Sequence, residues 1–191
     1  MYYKCMTDSV NLTDEKLVEI TRTQNREMYS ELIQRYQQKL SHYLRKFVHN
    51  NDELEDVLQD VFIKTYRNLN AFDTAKRFSP WIYRIAHNEA INFLNKHRKQ
   101  MISLDQEELQ IIDTDADVKQ TVDSVLNREA VEEALSRLKK KFSEPIILYF
   151  FEHKTYEEIS DILHMPVSTV GTLISRGKKQ LKELLKKYDR Q

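Results

Sequence analysis

Two glycines, Gly171 and Gly177, and three prolines, Pro80, Pro145 and Pro166, are the only strong helix breakers in 191 residues. So little punctuation leaves no room for repeated hairpins or glycine-rich loops and predicts an all-α chain. The apolar residues recur at helical spacing to match. Leu54, Val57, Leu58, Val61, Phe62, Tyr66 and Leu69 follow the i, i+3, i+4, i+7 rule, and Asp52 with Glu55 reads as a capping box at the start. Residues 28–48 place Met28, Leu32, Ile33, Tyr36, Leu40, Tyr43, Leu44 and Phe47 at the same period and read as a partner helix. A third helix is expected from Ser79 and Pro80, where serine caps and proline suits the first turn, through Ile82, Ile85, Ala86, Phe93 and Leu94. With residues 12–23 as a fourth, these helices close a small domain over 1–100.

From residue 101 to about 125 the period fails, and aspartates and glutamates mix with isolated hydrophobics, as in an extended, flexible linker. Periodicity resumes over 126–138, and Ser143, Glu144 and Pro145 are expected to open a short helix ending near Glu152. The expectation is therefore two small helical domains, 1–100 and 126–191, joined by an acidic linker over 101–125.

Thirty basic and thirty acidic residues cancel, but they are segregated. Residues 51–60 hold five acids and no base, and residues 100–135 hold ten acids against Lys119 and Arg128. Residues 175–191 reverse the sign, with seven bases against Glu183 and Asp189, and so attract a polyanion. A content of 40% hydrophobic and 31% charged residues belongs to a folded protein with a wet surface. There is no apolar run of membrane-span length, and the N-terminus lacks the basic-then-apolar order of a signal peptide, so a cytoplasmic location is expected. The single cysteine, Cys5, fits a reducing compartment and offers no disulfide or thiol pair for a metal.

The most specific local pattern spans residues 155–185. Thr155 and Glu158 form a capping box ahead of Ile159, Ile162 and Leu163, then His164, Met165 and Pro166 break the helix, and a second helix starts at Val167. Two helices on so short a turn make a helix-turn-helix. The second buries Val170, Ile174, Leu181 and Leu185 and leaves Ser168, Thr169, Thr172, Ser175, Arg176, Lys178 and Lys179 outside. Small hydroxyl residues followed by bases suit close approach to a major groove; the plainer alternative is a bundle helix with a solvated basic face. A second pattern lies in residues 77–99, where Phe78, Trp81 and Tyr83 stand among Arg77, Arg84, Asn88, Asn92, Lys96, Arg98 and Lys99. Aromatics among bases and amides can stack on unpaired bases while holding phosphates. Equally, the aromatics can be core and the charges merely solvated.

Three stretches together resemble a known family: Asp56-Val-Leu-Gln-Asp-Val-Phe-Ile-Lys-Thr-Tyr66, then Phe78-Ser-Pro-Trp-Ile-Tyr-Arg-Ile-Ala-His-Asn88, then Tyr156-Glu-Glu-Ile-Ser-Asp-Ile-Leu with Pro166-Val-Ser-Thr-Val170. In order and spacing they resemble the extracytoplasmic-function (ECF) sigma factors of RNA polymerase, over roughly residues 29–187. The resemblance implies a transcription initiation factor that brings polymerase core to promoters and assists melting. It implies polymerase contacts at Asp56, Gln59 and Asp60. Minus-ten contacts are implied within 78–99, with Asn88 and the nearby aromatics foremost, and minus-thirty-five contacts along 168–179. It further implies an acidic linker threading the polymerase channel and an anti-sigma partner. Gly171 stands where the family commonly has lysine, His164 replaces a turn glycine, Asp60 a glutamate, and Lys139 and Ser143 a proline and an arginine.

Three other functions compete. Catalysis lacks support, with no phosphate-binding glycine loop and no histidine pair at zinc spacing; no catalytic residue, metal or cofactor is expected. A dimeric helix-turn-helix repressor would use residues 155–185 but leave the acidic face at 52–60 and the aromatic segment at 78–83 idle. An adaptor binding only proteins predicts no dependence on DNA sequence.

Overall fold

A computed structural model describes residues 12–103, 130–131 and 133–188. The chain divides into two compact units, Met1–Glu108 and Leu109–Gln191. In the first, α1 (Asp14–Thr23), α2 (Tyr29–Leu44), α3 (Asn51–Arg67) and α4 (Phe78–Ser103) pack around a shared core, with short 3-10 turns at Arg26–Met28 and Leu69–Ala71. The second holds a helical stretch at 133–136, then α5 (Lys140–Ile146), a π-helical turn (Ile147–Phe151), α6 (Tyr156–Leu163) and α7 (Val167–Tyr188). Every regular element among the described residues is helical. Helix α4 carries on through residue 103, three residues into the segment expected to be linker. The rest of that segment, 104–125, and Cys5 lie outside the described residues.

Local chemistry sets the helix ends, in part differently from expectation. Helix α3 is capped by Asn50, whose side-chain oxygen accepts from the N–H of Asp52 (2.9 Å) and of Glu53 (3.1 Å). The Asp52–Glu55 capping box therefore does not form, because Asp52 is already inside the first turn, where its charge faces the positive helix end. Helix α4 begins at Phe78, before Ser79, and its first N–H donates to the Glu15 carboxylate at 2.9 Å. A remote residue of α1 thus supplies the acceptor that a capping serine was expected to supply. Helix α5 starts at Lys140, earlier than Ser143, so that Phe142 and Ile146 both enter the core and Pro145 falls inside the helix. Proline has no N–H to donate there, and two residues later the ladder widens into the π turn.

The core of the first unit is rich in aromatics. Leu17, Leu32, Leu40, Tyr43, Leu44, Val48, Val61, Phe78, Ile82 and Ala86 are fully buried. Tyr29 donates to the Phe62 carbonyl (2.7 Å) and Tyr36 to Asp14 (2.6 Å), so each buried phenol finds an acceptor; burial pushes both well above the usual phenol range. Tyr43 bonds the His87 ring nitrogen at 3.0 Å, joining α2 to α4. Lys64 and Glu89 pair across α3 and α4.

Candidate functional site

Helix α3 buries Leu54, Val57, Val61, Phe62 and Thr65, which turns Glu55, Asp56, Gln59 and Asp60 outward. Asp56 and Asp60 have no ion pair with any described residue, whereas Glu53 lies 3.3 Å from His97 of α4. The outward strip continues at i, i+3, i+4 and i+7 into Ile63 and then Tyr66, which are 40% and 41% exposed. Tyr66 was expected in the core. It lies outside because the inward place is taken by Thr65, and its ring rests on that of Tyr29 at 5.0 Å. Sequence reasoning missed this apolar end of the acidic face, although the spacing 56, 59, 60, 63 signals it.

On α4, Trp81, Arg84, Asn88, Asn92 and Lys96 share one face, since successive steps of three or four residues return to nearly the same side at about 100° per residue. Asn88, Asn92 and Lys96 are exposed, Trp81 and Arg84 half-buried, and Arg77 is exposed just before the helix. Phe78 and Tyr83 lie elsewhere. They are 0% and 1% exposed, Phe78 enclosed by the rings of Tyr36, Phe72 and Trp81, and Tyr83 packed 5.4 Å from Tyr43. Neither ring can meet a base without unpacking the core, so the expectation of stacking by these two is corrected: the stretch from Phe78 to Tyr83 contributes to both faces of one helix. Trp81 sits at the boundary, its indole 5.1 Å from Phe72. Arg98 and Lys99 are on the backbone of the later turns of α4, and their side chains fall outside the described residues.

In the second unit the expected motif forms. The Thr155 hydroxyl accepts from the Glu158 N–H (3.2 Å) while the Glu158 carboxylate accepts from the Thr155 N–H (2.9 Å). The exposed Glu157 carboxyl is held below its usual range by the N–H groups of the helix start and by Thr155. His164 takes the left-handed conformation that ends α6, at φ 51° and ψ 49°. Ser160 donates to the Met165 carbonyl at 2.6 Å, fixing the turn.

Val170 and Ile174 are buried with Ile159 and Ile162, and Ser168, Thr169, Thr172, Ser175, Arg176, Lys178 and Lys179 are all exposed. The Thr172 hydroxyl donates to the Ser168 carbonyl at 2.9 Å, leaving its oxygen as an acceptor. Lys178 departs from the others: its ammonium lies 5.4 Å from the centre of the Phe150 ring, on the flank of the hydroxyl strip. The neighbouring Tyr149 and Phe150 are an exposed aromatic pair that sequence reasoning did not single out. At Gly171 a Cβ would lie 3.4 Å from the Tyr156 ring, an ordinary contact distance, so the aromatic edge of α6 packs beside the backbone of α7 there.

The Sigma-70 region 2 family matches residues 32–100 and the Sigma-70 region 4 family matches residues 128–181. An ECF RNA polymerase sigma-E factor of Haemophilus influenzae is 31% identical over 179 residues, 89% of this chain and 94% of that protein. The chain belongs to the ECF sigma factors. The ECF sigma factor SigW of Bacillus subtilis is 28% identical over 90% of this chain and 96% of its own length. The sigma fold recurs in the solved complex of sigma factor RpoE with the anti-sigma factor NepR from Bartonella quintana. There the TM-score is 0.71 at 21% identity, over 83% of this chain and 96% of that one. The structure of CnrH with the cytosolic domain of CnrY gives 0.67 at 21% identity, over 91% and 97%. As a sigma factor, the chain directs RNA polymerase core to promoters in transcription initiation. No helix among the described residues is long and apolar enough to cross a membrane.

Proposed function

We propose that this sigma factor divides promoter recognition between its units along the three helix faces described above. Asp56, Gln59 and Asp60 of α3 bind a basic surface of polymerase core, with Ile63 and Tyr66 adding apolar contact at the end of the strip. Charge steers that encounter and the apolar end slows dissociation. Arg77, Trp81, Arg84, Asn88, Asn92 and Lys96 of the first unit, with Arg98 and Lys99 further along α4, hold the minus-ten strand as it melts. In this reading Phe78 and Tyr83 serve from the core, by holding Trp81 and the helix in place. Ser168, Thr169, Thr172, Ser175, Arg176 and Lys179 of α7 enter the major groove of the minus-thirty-five element, and Lys178 meets the backbone beside it.

The observation that carries the minus-ten assignment is the single face of α4 on which a half-buried indole adjoins exposed amides and bases. Amides can hydrogen-bond base edges, the indole can stack, and the bases hold phosphates. Changing Asn88 to alanine tests it, in a holoenzyme assay of binding to single-stranded minus-ten DNA. The expected result is weakened, less base-selective binding with unchanged core affinity, and unaltered selectivity would remove Asn88 from the site. The protein acts in the cytoplasm, catalyses no reaction of its own and uses no cofactor, the chemistry belonging to polymerase. Its activity is held in check by a dedicated anti-sigma protein; that two solved proteins of the same fold are complexes of this kind supports the reading.

A further inference from the structure

We propose that Arg22, on α1, is a positioning residue for the minus-ten face: it clamps the loop that supports Trp81 and touches no DNA itself. The inference rests on the reading of α4 given above. The Arg22 guanidinium donates through Nη2 to two backbone carbonyls, those of Leu69 and Phe72, and its carbon lies 6.0 Å from the centre of the Phe72 ring. Phe72 in turn meets Phe78 edge to face (5.5 Å) and lies tilted against Trp81 (5.1 Å). Two turns earlier on α1, Glu15 accepts the Phe78 N–H. Positions i and i+7 of a helix share a face, so one side of α1 grips both ends of residues 69–78. Between those grips, residues 73–77 are all exposed.

The chemistry of Arg22 is unusual for an arginine on a helical surface. Among the described residues no carboxylate pairs with it, and its Nε is buried without a partner. Its charge is spent on two carbonyl oxygens, both reached by Nη2, whose two N–H bonds lie in the plane of the guanidinium and so fix the group against the Phe72 ring; a lysine ammonium has no such plane. Without that guanidinium the Phe72 ring loses its anchor, and Trp81 loses the surface that orients it. Glu15 and Arg22 precede the stretch matched by the region 2 family, which begins at residue 32, while the residues they grip lie within it.

Trp81 is the chain's one tryptophan, so its fluorescence reports directly on the clamp. The experiment uses the full chain and the variants Arg22→Lys and Arg22→Ala, free and bound to polymerase core. The probe is a single-stranded oligonucleotide library randomised over the minus-ten window, with base preference read by sequencing the bound fraction. Both variants are expected to red-shift Trp81 emission and increase its quenching by acrylamide. Preference for the best base over the next is expected to fall about fivefold, equivalent to about 1 kcal/mol. Core affinity and hydrogen-exchange protection of α2 and α3 should stay at the wild-type level.

Unchanged emission in both variants would overturn the clamp. Altered emission with unaltered base preference would overturn its positioning role, as would a loss of preference that merely tracks a loss of core affinity. A wild-type holoenzyme with no base preference at all would instead overturn the minus-ten assignment of α4, and the positioning role with it.

Discussion

At Gly177 helix α7 passes close against α5, and replacement of this glycine by alanine gives a signed, quantitative test. A Cβ there would lie 2.5 Å from Cδ1 of Ile146, 3.3 Å from its Cγ1 and 3.3 Å from Cβ of Phe142. Alanine gains about 1 kcal/mol over glycine in a helix interior. Against that stands overpacking, typically about 1–3 kcal/mol in a filled core. The steric term wins because Ile146 cannot swing away: it is fully buried, clustered with Leu135 and Leu138, and flanked by Val131, Phe151, Leu181 and Leu184. The balance is a net destabilisation of about 1 kcal/mol, or roughly a fivefold loss of protection in native-state hydrogen exchange at buried amides of α6 and α7.

Ile146→Val removes the clashing atom and by itself costs about 1 kcal/mol. The double variant should be no worse than Ile146→Val alone, because the alanine then occupies the space vacated, giving a coupling of about 1–2 kcal/mol. Measured by exchange on the full chain, additivity of the two changes to within about 0.5 kcal/mol would refute the close approach of α5 and α7 from which this reasoning starts.

Replacing Asp56 and Gln59 by alanine should lower affinity for polymerase core while leaving hydrogen exchange of α3 unaltered, since both side chains are exposed; equal affinity in a binding titration would remove the assignment. Arg176→Ala should weaken binding to minus-thirty-five duplex by about 1–3 kcal/mol with relaxed choice at one base pair; a uniform loss with a smaller salt slope would make Arg176 a phosphate contact. Glu144 is half-buried, and the desolvation raises its carboxyl above the ordinary value. A carboxyl raised in the folded state contributes fully when protonated, below its unfolded pKa of about 4.3, and that contribution is lost as pH rises through the folded value. Glu144→Gln should therefore stabilise the second unit at neutral pH, with the gain vanishing toward pH 4; a gain constant across that range would rule out titration as its cause.

The parts of the fold that the sequence discloses depend on neighbours in the chain. The Thr155–Glu158 box, the helix break at His164 and the exposed hydroxyl strip of α7 are all set within one or two turns, and each forms as read. What stays hidden depends on remote contacts or on which face of a helix wins the core. Glu15 caps α4 from 63 residues away, a relation that no local pattern encodes. Phe78 and Tyr83 read as base-stacking groups because α4 is flanked by polar residues on every side of the sequence, yet packing against Tyr36 and Tyr43 claims both rings. Tyr66 fits the inward period as well as Thr65 does; the small residue goes inside, and the large ring lies across Tyr29.

Transcription by purified core polymerase, with and without the full chain and with transcript ends mapped across genomic DNA, decides whether the protein starts RNA synthesis as a sigma factor. Initiation is expected at a defined set of sites sharing two spaced elements, lost when the chain is omitted. DNA bound by the chain with no RNA started at any site would contradict it and leave a repressor in its place.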